Sequence, residues 1–110
     1  MRLINKKALE KRKNRGNLLL TKAIDKLILD INGNDWKNQT ELNKTRTDAD
    51  KVHSEGFYFF NINIHRTMIL IEFSDSEATV VWTGTHKEYE TTFKNNKTTI
   101  NMWLKSSGWI

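Results

Sequence analysis

Residues 57–83, FYFFNINIHRTMILIEFSDSEATVVWT, decide the fold. β-Branched and aromatic residues gather there in three runs, Phe57 to Ile62, Thr67 to Phe73 and Ala78 to Thr83, which is strand composition. The connections Asn63-Ile64-His65 and Ser74-Asp75-Ser76 are short enough for hairpins, so the runs read as an antiparallel meander. Alternation places Thr67, Ile69, Ile71 and Phe73 on one face of the middle strand, the face expected over the core. Arg66, Met68, Leu70 and Glu72 share the other, a mixed face expected to be exposed or to meet a ligand.

Upstream, apolar residues fall at 20, 23/24, 27/28 and 31 between Leu18 and Ile31, the spacing of a helix with one buried face. Lys22, Asp25, Lys26 and Asp30 take its polar face, and Asn32-Gly33-Asn34 supplies a stop in which Gly33 can turn left-handed. Arg2-Leu3-Ile4 reads as a short strand, edge or central, and Asn5 as the cap of a basic helix from Lys6 to Asn14. From Asp35 to Val52 the chain is polar, with Trp36 and Leu42 as its large apolar anchors. Thr40 to Asn43 there suits a helical turn and the rest a loop, and His53, just beyond it, reads as a loop residue. Lys87 to Phe93 suits a helical turn after the last strand. The tail from Asn95 to Ile110 is too apolar to float freely and is expected to pack on the domain or on a partner.

A chain of 110 residues with 37% hydrophobic content and 11 aromatic residues has the size and core of a single folded domain spanning 1–110. Without cysteine there is no disulfide framework, thiolate nucleophile or Cys-based metal site. The three histidines, His53, His65 and His86, match no common metal spacing, so no metal or cofactor is implied. The longest apolar runs are four residues, too short to span a bilayer, and Met1 to Lys7 lacks the apolar region of a secretory signal. The expected location is the cytoplasm, with no membrane partner.

The charge is concentrated. Residues 1–16 hold seven of the 18 Lys and Arg (Arg2, Lys6, Lys7, Lys11, Arg12, Lys13, Arg15) against Glu10, whereas the remainder holds 11 basic and 12 acidic residues. Such a block raises the local concentration of a polyanion and makes association salt-dependent; a solvated helix face is an equally good account of the block alone.

Asn34-Asp35-Trp36-Lys37-Asn38 with Glu41-Leu42, Ala49-Asp50-Lys51-Val52, Phe60-Asn61-Ile62, Arg66, and Val81-Trp82-Thr83-Gly84-Thr85-His86-Lys87-Glu88-Tyr89 together resemble the HigB branch of the RelE/ParE toxin superfamily. The resemblance covers about residues 1–93, leaving 94–110 as a C-terminal extension. It implies an α+β fold, with N-terminal helices packed on one face of a small antiparallel sheet. It also implies a type II toxin that cleaves mRNA on the ribosome, restrained by a HigA-like helix-turn-helix antitoxin that alone carries the pair to operator DNA. One departure is the turn before Arg66, about two residues shorter than the family's usual one.

RNA cleavage without a metal, by attack of the 2′-hydroxyl, needs a base, a cation for the crowded phosphorane and an acid for the leaving oxygen. The resemblance assigns catalysis to Arg66, His86 and Tyr89. Arg66 offers a bidentate fork for phosphate oxygens, and His86 an imidazole that exchanges protons near neutrality. Tyr89, three residues on along a helical turn, can position phosphate, stack a base or relay a proton. Lys87, His65 and the basic block (Lys6, Lys7, Lys11, Arg12, Lys13, Arg15) are the expected RNA contacts. Each has an ordinary structural reading as well: Arg66 as a solvated or ion-paired strand residue, His86 as a strand terminator, Tyr89 as a core residue with its hydroxyl at the rim. Trp82, with Phe59 and Phe73, reads as core or sheet face. Two rival functions share this sequence: a ParE-like inhibitor of DNA gyrase, which needs no acid–base set, and a basic nucleic-acid-binding module that leaves its ligand intact.

Overall fold

A computed structural model describes residues 1–110. Along the chain lie β1 (Arg2–Ile4), α1 (Lys7–Glu10), α2 (Leu18–Asn32), α3 (Gln39–Thr45), β2 (Asp50–His53), β3 (Phe57–Ile62), β4 (His65–Glu72), β5 (Glu77–Thr85), α4 (His86–Phe93) and α5 (Lys97–Ser106). The fold is α+β, and its five strands run in the order β1-β5-β4-β3-β2. The meander of β3, β4 and β5 is antiparallel, and β2 adds antiparallel to β3. β1 is an edge strand that joins β5 in parallel, which makes the sheet mixed rather than wholly antiparallel. Asn63, left-handed at φ 63°, lets the chain reverse in two residues between Ile62 and His65.

One face of the sheet carries Tyr58, Phe60, Ile62, Ile69 and Ile71, covered by Leu20, Ile24, Leu27 and Ile31 of α2. The helix keeps the register expected of it, apart from Asp30. That carboxylate is not on the solvated face: it is buried, bonded to Lys26 Nζ at 2.5 Å and paired with Arg46 at 3.3 Å. Arg46 also meets Asp48 at 2.7 Å, so the buried charges are matched, as burial requires. Gly33 caps the helix at φ −86° and makes no left-handed turn.

The opposite face is not exposed along its length. Phe57, Phe59 and Met68 form a second core with Tyr89 and Phe93 of α4 and Ile100 and Leu104 of α5. A sheet covered on both sides carries continuous apolar runs instead of alternation, and FYFF and MILI are such runs. The tail after Phe93 is therefore a structural layer, with Asn96 capping α5 through the Thr98 and Thr99 amides.

The N-terminal and middle segments depart further from expectation. Asn5 does not cap a helix: it is left-handed at φ 65° and its side-chain amide donates to Val80 O, tying the turn to β5. α1 consequently begins at Lys7 and ends at Glu10, because beyond Leu9 the chain has no apolar residue to hold a further turn against the sheet. The helical turn expected at Thr40 to Asn43 is present and extends to the seven residues of α3, capped by Asn38, whereas the stretch expected as a loop contains β2. His53 lies in β2, its Nε2 3.1 Å from Asn101 Oδ1.

Candidate nucleic-acid interface

Arg66 is the second residue of β4. It pairs with Asn61 on β3 and Gly84 on β5, on the sheet face that α4 covers. Phe59 and Tyr89 stand perpendicular there, ring centroids 4.9 Å apart at 89°, and the guanidinium occupies their corner. Its Cζ lies 4.4 Å from the Tyr89 centroid and 5.0 Å from that of Phe59. No carboxylate pairs with Arg66, and its Nε is buried without a hydrogen-bond partner. Aromatic faces hold the cation in place without neutralising it.

α4 frames this corner. Thr85 caps it reciprocally: Thr85 Oγ1 accepts from the Glu88 amide at 3.1 Å, and Glu88 Oε1 accepts from the Thr85 amide at 2.8 Å, a capping box. That backbone bond holds the Glu88 carboxyl below the usual carboxylate range. His86 and Lys87 follow the cap in the first turn, both exposed. The His86 amide donates to Ile64 O at 3.2 Å, which ties the helix to the β3–β4 turn. Tyr89 is buried, and its hydroxyl donates to Asn95 Oδ1 at 2.9 Å. Its ring carries Arg66 while its oxygen braces the turn into α5. The structure thus brings Arg66 and Tyr89 into direct contact, with His86 and Lys87 exposed in the same first turn of α4 as Tyr89.

His65 is not among them. Its side chain alternates to the opposite face, where it is buried with Nδ1 unpartnered. Burial and the nearby Arg12 cation push its imidazole below the ordinary value. The basic block also divides. Arg12 donates to Thr83 O at 2.9 Å and lies 3.7 Å from Glu88, Lys13 meets Asp25 at 2.5 Å, and Lys6 meets Glu10 at 3.5 Å. Lys7, Lys11 and Arg15 are exposed and make no ion pair.

Sequence reasoning missed the role of Gly84. A β-carbon there would fall 2.7 Å from Trp82 Cζ2 and Cη2 and 3.1 Å from Glu88 Oε1. The absent side chain admits the indole beside the Arg66 corner, a role the Trp-Thr-Gly-Thr-His run could have signalled. A cavity of about 290 Å³ opens between Trp82 and α4, lined by Trp82, Lys87, Glu88, Thr91 and Thr92. The larger cavity, about 540 Å³, lies elsewhere, between β2 and α5, and includes Lys51, His53, Lys97 and Asn101.

With this geometry in view, the sequence model of the HigB toxin family, described as the RelE-like toxic component of a toxin–antitoxin system, matches residues 20–92. The chain belongs to the HigB toxin family. The matched segment contains α2 from Leu20 onward, all of the sheet except β1, and the Arg66 corner, while α1 and α5 of this HigB-family chain lie outside it. Membership makes it the toxic partner of an antitoxin. A comparison with curated proteins found no match. No helix is long and apolar enough to cross a membrane.

Proposed function

We propose that this HigB-family toxin is a ribosome-dependent mRNA endonuclease of the cytoplasm, restrained by a HigA-like helix-turn-helix antitoxin. The observation that carries this reading is the Arg66 guanidinium, held by two aromatic rings and without a counterion. A fixed, half-buried cation lacking a carboxylate is a ready site for an anionic phosphate, because an incoming oxygen need displace no existing partner.

In the proposed reaction the 2′-hydroxyl attacks the adjacent phosphorus and the bond to the 5′-oxygen breaks, leaving a 2′,3′-cyclic phosphate and a 5′-hydroxyl. Arg66 stabilises the charge that develops on the phosphorane oxygens. His86, exposed at the start of α4, exchanges the proton at one of the two reacting oxygens. Tyr89 acts through its ring, as the platform that aims Arg66, since its hydroxyl is engaged with Asn95. Lys87 adds positive charge beside the phosphate path. So small a site benefits from an mRNA already oriented by the ribosome, which would supply alignment that the toxin lacks.

Inducible expression with mapping of mRNA 5′ ends tests the proposal. Wild type should cut within translated codons. Arg66→Ala should lose about 10²–10³ in rate, the usual loss for one transition-state donor. Arg66→Lys should recover only part of it, because a point charge lacks the fork. A folded Arg66→Ala, His86→Ala double variant that still cuts, or a toxic wild type that leaves mRNA intact, would refute the endonuclease reading; the latter result would favour gyrase inhibition.

A further inference from the structure

We infer that the cleft between Trp82 and α4 is a nucleobase subsite, which receives a base next to the phosphate held at Arg66; the inference rests on the RNA reading above. Three observations meet at Gly84. That residue pairs directly with Arg66 across β4 and β5, its missing side chain is replaced by the six-membered ring of Trp82, and the Glu88 carboxylate lies against the same point. Two walls of the cleft, Trp82 and Glu88, therefore close over the residue that pairs with Arg66.

Its walls suit a base better than a second phosphate. Trp82 is half-buried, and its orientation is set by near-perpendicular contacts with Phe93 at 5.0 Å and Phe59 at 6.3 Å. A fixed, part-exposed indole is a stacking surface for any base. Glu88 Oε1 is taken by the Thr85 amide at 2.8 Å and faces Arg12 at 3.7 Å, while its second carboxylate oxygen is free to accept from the N–H donors that every nucleobase presents. Thr91 and Thr92 add hydroxyls that donate or accept. Lys87 stands at the rim, where the backbone joining base to phosphate would pass. The cavity of about 290 Å³ is of the size that admits a single planar ring system rather than a folded segment.

Titration of the full-length protein with adenosine 3′,5′-bisphosphate and with its abasic counterpart, followed by heteronuclear NMR, isolates the base from the phosphates and requires no cleavage. Wild type should bind the base-bearing ligand about 5- to 100-fold more tightly, the range for one stacked base. Trp82→Leu, which keeps apolar contact with Phe59 and Phe93, should abolish that preference and leave the abasic affinity unchanged. Thr91→Leu, at an exposed helical position, should do the same by filling the cleft without touching the core, and it decides the matter if Trp82→Leu fails to fold. Equal wild-type affinity for the two ligands, or a preference that survives in the folded variants, would overturn the subsite. Arg66→Ala should weaken both ligands alike; if it weakens neither while the base preference persists, the phosphate reading fails and the base subsite stands.

Discussion

Removing the methyl groups of Leu104 should cost this protein a large share of its stability, although Leu104 lies outside the segment that identifies the family. Leu104 is fully buried in the second core, and Ile100, one helical turn earlier, is almost so. A Leu-to-Ala change at such a site removes about 2–5 kcal/mol, the spread reflecting how far the neighbours collapse into the space. A domain of this size has about 5–15 kcal/mol in total, and each kcal/mol corresponds to about 4 °C in melting temperature. Leu104→Ala should therefore lower the melting temperature by about 8–20 °C. Ending the chain before α5 removes Ile100, Leu104 and the half-buried Trp103 together and uncovers Phe57 and Phe93, so the shortened protein should not fold cooperatively at 37 °C. Circular dichroism melts of purified wild type and Leu104→Ala test the first claim, and the near-ultraviolet signal of the shortened chain tests the second. A melting shift below about 3 °C, or a shortened chain with native near-ultraviolet signal, would show that α5 is an appendage and that the second core closes without it.

His65 should make stability depend on pH in a predictable direction. Its folded pKa is depressed, so below about 6.5 the unfolded chain takes up the proton first, and stability falls with pH by up to about 1.4 kcal/mol per unit until the folded value is reached. The stability difference between wild type and His65→Gln should shrink as pH drops from 7 to 5, and a constant difference in urea midpoints would contradict this. Binding of single-stranded RNA should draw on the unpaired cations alone. Replacing Lys7, Lys11 and Arg15 by Gln should reduce the slope of log affinity against log salt by about 2, at about 0.7 per phosphate contact, whereas Lys13→Gln should barely alter it because Lys13 already meets Asp25 at 2.5 Å. Equal slopes for the triple variant and wild type would make the block a solvated surface.

What was legible in the sequence follows from how each element earns its stability. β3 runs from Phe57 to Ile62 as read, because six residues rich in aromatics are bounded by Gly56 and a left-handed Asn63. α2 is legible because its apolar residues repeat over four turns. β2 offered no such signal: only Val52 among its four residues is buried, and its backbone pairing with β3 supplies what its side chains do not. α5 did carry a pattern, with Ile100, Trp103 and Leu104 at helical spacing after the Asn96 cap. Its partner surface was the sheet face assigned to solvent or ligand, and that assignment concealed it. The Arg66 corner was visible as a residue choice and invisible as a place, since nothing local reveals that Phe59, seven positions earlier, and Tyr89, 23 positions later, meet at right angles.

That corner shows why stability and proposed activity are linked in this fold. An ion pair would have positioned Arg66 more simply, but a carboxylate partner would have cancelled the charge that a phosphate site requires. Aromatic rings position the guanidinium and leave its charge available, on condition that the rings themselves are immobile. Their immobility comes from the second core: Phe93 lies 5.4 Å from Phe59, 5.0 Å from Trp82 and 5.3 Å from Trp103 of α5, and Tyr89 is anchored through Asn95 at the turn into α5. The geometry presented to a phosphate thus descends from contacts made by α5, beyond the matched segment. A change in that helix would reach Arg66 through the rings without altering a single charged residue.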